Sequence, residues 1–209
     1  MGVKIVKKTN NIPKLTQALK KLGKKSIKVG VFGEDNYKYG DDADLVTIAY
    51  VHEFGTTITP KKGKYLTIPV HRSAKNKRAG DFPDLFFVPT DNGNGLLARN
   101  KGKDQLEVLF VLVKSVTIPE RAFLRTGFDA NINAIANRME TLLNDVLDLN
   151  VNPDAFLDGI GMEFAGLIQK HMKGINSPPN AAATVAAKGS SNPLQDTGRL
   201  IGSIRHEIE

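Results

Sequence analysis

Residues that often carry catalysis or bind metals are few in this chain and widely separated. The histidines are His52, His71, His171 and His206. His52 and Glu53 resemble the start of the zinc-binding HExxH motif, but its second histidine would have to stand at position 56, which is Thr56. The acidic run at 41–44 lacks the spacing and the distal glutamate of a calcium-binding loop, so a solvated loop and helix cap explains it better.

Other catalytic signatures are also missing from the sequence. It has no phosphate-binding glycine loop and no nucleophile elbow. It has no cysteine, which excludes disulfides, thiolate metal sites and cysteine nucleophiles. No particular pair of carboxylates is indicated. We therefore expect a protein that is not an enzyme and has no catalytic residue, metal or cofactor. An enzyme would need an unrecognised constellation, in a concave polar pocket with perturbed carboxylates.

Three short segments stand out instead, at 51–58, 118–125 and 177–204. They read VHEFGTTI, IPERAFLR and SPPNAAATVAAKGSSNPLQDTGRLIGSI. Each combines apolar residues with glycine, proline or both, and none contains clustered histidines or paired carboxylates. This composition favours contact surfaces and turns over catalysis.

The positive charge of the chain is concentrated at one end. The net charge is +7, and residues 1–30 contain nine lysines and no acid. Such a segment can attract DNA or an acidic partner, or it can be a solvated helix face. The candidate DNA-facing residues are Lys7, Lys8, Lys14, Lys20, Lys21, Lys24 and Lys25. No run of about 18 apolar residues occurs, so we expect no membrane partner.

The elements that must position these segments follow from the hydrophobic pattern. Three- and four-residue spacing predicts a helix over 11–22, with Asn11 as its cap and Gly23 as its stop. Alternation at 26–32 predicts a strand. A loop at 34–42 then leads to a helix that begins at Asp44 and stops at Gly55.

The middle of the chain reads as strands. We predict them at 65–70, 85–89, 95–100 and 106–114, with a hairpin turn at 91–95, where DNGNG tolerates positive φ. The segment at 75–84 is predicted to be a flexible, positively charged connection.

The last part of the chain is predicted to be mainly helical. A helix of about 25 residues follows 118–125, and further helices are expected at 153–173, at 181–188 and around 194–201. Glycines at 159, 161 and 166 suggest close helix packing. Residues 203–209 alternate like a strand. The ordinary interpretation of Phe54, Phe123 and Leu124 is core packing at helix ends.

Together these elements predict an α+β fold in a single domain over 1–209. A small mixed or antiparallel sheet with an extended β-hairpin packs against N-terminal, long central and C-terminal helices. The β-rich insertion spans about 57–117, and the helical part spans about 120–190.

The motifs, taken in order, resemble those of the tail-completion or neck proteins of long-tailed bacteriophages. They are VGVF at 29–32, AYVHEFGT at 49–56, IPERAFLR at 118–125 and PLQDTGRLIGSI at 193–204. The resemblance covers most of the chain. Glu120 departs from the small residue that is more usual in the family. The insertion at 60–117 is longer than the minimal pattern and is similar to insertions in relatives from contractile-tailed phages.

The resemblance implies a structural virion protein at the head–tail junction. Copies would form a ring of six or twelve, coaxial with the portal and the tail tube. Partners would be the head-side connector, the tail terminator or tube proteins and, in passing, viral DNA. The protein would be located in the virion, and in the host cytoplasm during assembly. Candidate contacts are the segments at 75–84 and 197–204, with the residues Phe54, Phe123, Leu124, Arg125, Thr197, Arg199 and Leu200.

The alternative is a basic nucleic-acid-binding accessory protein that uses the N-terminal lysines. That function predicts tight and steeply salt-dependent DNA binding by the isolated chain.

Overall fold

Helices and antiparallel strands both occur in the chain, which confirms the predicted α+β class. A computed structural model describes residues 10–33, 38–39, 43–102 and 105–209. In this part of the chain the helices are α1 (Ile12–Leu22), α2 (Leu45–Phe54), α3 (Phe123–Leu147), α4 (Pro153–Gly174), α5 (Ala182–Lys188) and α6 (Arg199–Gly202). The strands are β1 (Ile27–Gly30), β2 (Lys38–Tyr39), β3 (Ala43–Asp44), β4 (Thr56–Ile58), β5 (Leu66–Pro69), β6 (Phe86–Pro89), β7 (Gly95–Gly102), β8 (Gln105–Val113), β9 (Val116–Ile118) and β10 (Arg205–Ile208).

The contacts divide the chain into two compact units. The first unit comprises Met1–Phe32, Leu124–Met172 and Gly202–Glu209, and the second comprises Gly33–Phe123 and Lys173–Ile201. The prediction of a single domain over 1–209 stays a prediction.

In the first unit, two strands that are far apart in the sequence, β1 and β10, form a two-stranded sheet. β1 pairs antiparallel with β10, so that Ile27 lies opposite Ile208 and Gly30 lies opposite Arg205. Ser26 extends the ladder, since its N–H donates to the Glu209 carbonyl at 2.7 Å. The predicted strand at 203–209 is therefore present over 205–208.

The core of the first unit comes mainly from α3 and α4. Ile135 and Val146 of α3 are buried, as are Phe156, Ile160, Phe164, Ile168 and Met172 of α4. Phe128 of α3 contacts Phe164, with 5.4 Å between ring centroids. Each of the two long helices thus places one apolar face in the core.

At the start of α1, the side chain that caps the helix differs from the one expected. Asn11 makes no capping hydrogen bond with its side chain. The Asn10 side chain instead accepts a hydrogen bond from the N–H of Ile12 at 3.2 Å. Asn11 therefore occupies the predicted N-cap position, but the side chain that accepts the hydrogen bond there is that of Asn10.

The second unit contains a four-stranded antiparallel sheet in the order β5-β8-β7-β6. The predicted turn at 91–95 joins β6 to β7, with Gly93 at φ 72°. Residues 75–84, which the sequence predicts to be a flexible connection, contain regular structure and a contact with the core. They include a 3-10 turn at Ala79–Asp81, and Phe82 packs edge-on against the buried Phe110 of β8 at 5.8 Å.

The predicted ends of α2 are confirmed. The Asp44 side chain accepts a hydrogen bond from the N–H of Thr47 at 2.6 Å, and Gly55 ends the helix at φ 68°. The chain then enters β4, which pairs antiparallel with β9. This pairing holds the segment at 56–58 beside the segment at 116–118.

Among the three glycines that the sequence analysis singled out in α4, only Gly161 has a close neighbour. A Cβ at Gly161 would lie 2.6 Å from Cγ and 3.0 Å from Cβ of His206 in β10. The same atom at Gly159 or Gly166 would meet nothing within 4 Å. Gly161 therefore serves packing of the helix against a strand, whereas the other two have no such role.

This contrast gives a matched test. Gly161→Ala should lower the free energy of unfolding by about 1–3 kcal/mol, because the new methyl group overpacks a buried contact. Gly159→Ala and Gly166→Ala should raise it by up to about 1 kcal/mol through helix propensity. Urea unfolding of the three variants measures these changes. Equal stability of all three would contradict the close contact between Gly161 and His206.

Candidate functional site

The three segments singled out in the sequence meet at the side chain of Arg121. Arg121 is buried, with 7% of its surface exposed. Its Nε donates to the carbonyl of Pro178 at 3.1 Å, and its Nη2 donates to Oδ1 of Asn180 at 3.4 Å. Its Nη1 donates to Nδ1 of His52 at 3.1 Å. One guanidinium from 118–125 is thus hydrogen-bonded to residues of both 51–58 and 177–204.

The backbone N–H groups of Arg121 and Ala122 cap the C-terminal end of α2. The N–H of Arg121 donates to the carbonyl of His52 at 2.9 Å, and the N–H of Ala122 donates to the carbonyl of Glu53 at 3.2 Å. The last carbonyls of a helix lack partners within the helix, so these hydrogen bonds satisfy them.

Gly55 permits this close approach of the two segments. A Cβ at position 55 would lie 2.7 Å from the backbone nitrogen of Glu120, and the φ of 68° also favours glycine. The glycine of HEFGT is therefore required by the segment that carries Arg121.

Asn192 organises the third segment. Its Oδ1 accepts hydrogen bonds from the N–H groups of Leu194 and Gln195 at 3.0 and 3.1 Å. Its carbonyl accepts from Nζ of Lys188 at 2.8 Å and from Nδ2 of Asn180 at 3.3 Å. Asn192 thus holds both the turn after α5 and Asn180, the residue that accepts a hydrogen bond from Arg121.

His52 is held neutral at the centre of this arrangement. Burial, and after it the positive charges of Arg121 and Lys188, together lower the pKa of His52 from 6.5 to about 4. A guanidinium can only donate hydrogen bonds, so Nδ1 of His52 must be the acceptor. The proton of the neutral ring is therefore on Nε2.

Beside His52 lies a cavity of about 290 Å³. Its walls come from α2, α5 and the segment that follows α5, all within the second unit. Its lining includes Leu45, Ile48, His52, Lys188, Leu194 and Asp196. Thr197, Arg199 and Leu200, which the sequence analysis named as contacts, also line it.

The remaining predicted contact residues have different environments. Phe54 is 49% exposed and packs beside Tyr50 with ring centroids 4.8 Å apart, so its interpretation as a core aromatic is wrong. Phe123 is 0% exposed, so its ring is part of the core and offers no surface to a partner. Leu124 is half-buried, and Arg125 is exposed.

The candidate DNA-facing lysines also divide into groups. Lys7 and Lys8 lie outside the described residues. Lys14, Lys20 and Lys24 are exposed on or just after α1. Lys21 and Lys25 both form ion pairs with Asp154, the second at 3.0 Å. Hydrogen bonds from these two lysines lower the pKa of Asp154.

Sequence reasoning did not identify Arg121 or Asn192 as important. One signal was available for Arg121, because a basic residue directly before the apolar run AFL is in an unusual place for a solvated side chain. Asn192 sits in a polar loop and gave no signal.

Comparisons with models of protein families, with curated proteins and with solved structures found no match to this chain. Within the described residues, no helix is long and apolar enough to cross a membrane.

Removal of the Arg121 side-chain charge should be strongly destabilising. Arg121→Met leaves the Pro178 carbonyl, Asn180 and His52 without their donor, and we expect a loss of about 2–4 kcal/mol in the free energy of unfolding. The matched control is Arg138→Met, because Arg138 makes a surface ion pair with Glu163. Loss of that pair should lower the free energy of unfolding by less than about 1 kcal/mol. Similar losses for both variants in denaturant unfolding would contradict the central position of Arg121.

The stability of the chain should depend on pH through His52. Its pKa is lower in the folded chain than in the unfolded chain, so protonation favours unfolding. The contribution of neutral His52 to the free energy of unfolding is fully present above pH 6.5. As the pH falls towards 4, the free energy of unfolding should decrease by on the order of 2–3 kcal/mol. Urea unfolding at pH 7 and pH 4.5 should show a larger loss for the wild type than for His52→Asn. An NMR titration of His52 with a midpoint near 6.5 would rule this out.

Proposed function

We propose that the chain is a structural virion protein of the phage head–tail junction, which forms a ring that helps to join the tail to the DNA-filled head. The observation that carries the proposal is the meeting of the segments at 51–58, 118–125 and 177–204 around Arg121. These are segments on which the resemblance to neck and tail-completion proteins rests. Motifs that match by chance have no reason to be in contact, whereas an inherited structural unit does.

Exposed apolar side chains support an assembly function. Tyr50 and Phe54 of α2 are exposed, as is Ile58 of β4, and the two aromatic rings are in contact at a tilt of 45°. Aromatic residues that are exposed on a free subunit are often buried at the centre of the interface once a partner binds. In a ring, each copy contacts the next head to tail, so one patch of this kind on every subunit can be buried by a neighbour.

The partners of such a ring would be the head-side connector and the tail terminator or tube proteins, with viral DNA passing through the lumen. The exposed lysines Lys14, Lys20 and Lys24 are suited to a passing contact with DNA, because they face solvent and are not among the lysines paired with Asp154.

The same lysines are the observation that favours the second candidate, a basic nucleic-acid-binding protein. The two functions differ in what the isolated chain does. A DNA-binding protein binds tightly as a monomer with a steep salt dependence, whereas a neck subunit binds weakly until the ring has assembled. Titration of the monomer with duplex DNA at several salt concentrations separates them.

Native mass spectrometry tests the ring. We expect an assembly of six or twelve copies of the 22.8 kDa chain. Phe54→Asp should dissociate it without a change in the circular dichroism spectrum, because a carboxylate cannot be buried at an apolar interface without a partner. The control is Met162→Asp, which alters an apolar residue of α4 that is 63% exposed, compared with 49% for Phe54.

In infected cells, the Phe54→Asp variant should leave unjoined heads and tails in electron micrographs. A chain that is monomeric in all conditions and in virions would overturn the proposed function. A stable ring that tolerates Phe54→Asp would overturn only the assignment of Phe54 to the interface.

A further inference from the structure

The cavity beside His52 combines an apolar floor with a small number of donors. Leu45 and Ile48 of α2 line it together with Leu194 and Leu200 from the third segment. Its volume of about 290 Å³ is at the lower end of the range for small-molecule sites, which is about 300–1,000 Å³. It therefore fits one amino acid residue better than a longer segment.

The first donor is the imidazole of His52. Because Nδ1 accepts from Arg121, the neutral ring carries its proton on Nε2. The ring cannot readily become a cation, since burial and two nearby positive charges oppose it. His52 therefore presents an N–H group whose orientation and tautomer are fixed by Arg121.

The second donor is the ammonium group of Lys188. It donates one hydrogen bond to the carbonyl of Asn192 at 2.8 Å and has two further protons. Asp196 also lines the cavity and attracts Lys188, but no ion pair joins the two among the contacts of the described residues. Among the charged residues that line the cavity, Lys188 and Arg199 are positive and Asp196 is negative, so the lining carries a net positive charge.

We propose that this cavity binds a peptide residue of a partner protein that presents a carboxylate next to an aliphatic side chain. The carboxylate accepts hydrogen bonds from Nε2 of His52 and Nζ of Lys188. The aliphatic group contacts Leu45, Ile48 and their neighbours on the floor. A single negative charge suits the site better than a phosphate dianion, because Asp196 stands in the wall and most of the lining is apolar. The inference goes beyond ring formation, since it does not depend on the number of copies.

The probe for this site is N-acetyl-leucine, which has a carboxylate and an isobutyl group, and its matched control is N-acetyl-leucinamide. Saturation-transfer NMR with the full chain should give a Kd of about 1–10 mM for the acid, as expected for a ligand of this size. The amide should bind about tenfold more weakly, because it lacks the charge that strengthens both hydrogen bonds. At equal concentrations, the NMR signals of the His52 ring protons should shift more with the acid than with the amide.

Two variants complete the test. Lys188→Met removes the ammonium group, keeps an unbranched side chain one atom shorter, and should weaken binding of the acid about tenfold. Lys170→Met, at an exposed position of α4, should leave binding unchanged. Equal affinity for acid and amide, binding of neither at 50 mM, or full affinity in a folded Lys188→Met variant would each overturn the proposal. The mass of the assembly is measured in parallel, so that failure of this site is distinguished from failure of the ring.

Discussion

The hydrogen bonds of the buried Arg121 guanidinium are the constraint on which the arrangement of the second unit depends. Burial of a guanidinium is costly unless its donors are paired, since it cannot lose its charge under ordinary conditions. Here the acceptors come from Pro178 and Asn180 in one segment and from His52 in another, and the two segments are far apart in the sequence. The three segments therefore have to meet before Arg121 can be buried, and its backbone N–H closes the end of α2 in the same step.

The same interaction sets the chemistry of its surroundings. Arg121 uses Nδ1 of His52 as an acceptor, and its charge helps to keep the ring neutral. The remaining N–H of the ring is then on Nε2, and both His52 and Lys188 line the cavity. The burial of Arg121 thus fixes the tautomer of His52, a residue that lines the cavity. We infer that a partner protein forms a hydrogen bond with the N–H group of this ring.

Local signals predicted much of this fold. Asp44 and Gly55 mark the ends of α2 because capping and positive φ are properties of single residues and their neighbours. The turn at 91–95 and the two long helices were predictable for similar reasons. Pairings such as β4 with β9 span three residues each and are too short to show a period. The contacts of Arg121 join residues 57 to 69 positions apart, and no local pattern encodes them. Likewise, Phe54 and Phe123 both lie at helix ends, and only tertiary packing makes the first exposed and the second buried.

A double-mutant cycle between Arg121 and Asn180 tests the meeting of the segments most directly. The free energy of unfolding is measured for Arg121→Met, Asn180→Ala, the double variant and the wild type. If the two side chains are in contact, the effects of the single substitutions will differ from additivity by about 0.5–3 kcal/mol. Additivity within about 0.3 kcal/mol would mean that the second and third segments do not meet at Arg121, and would contradict the account.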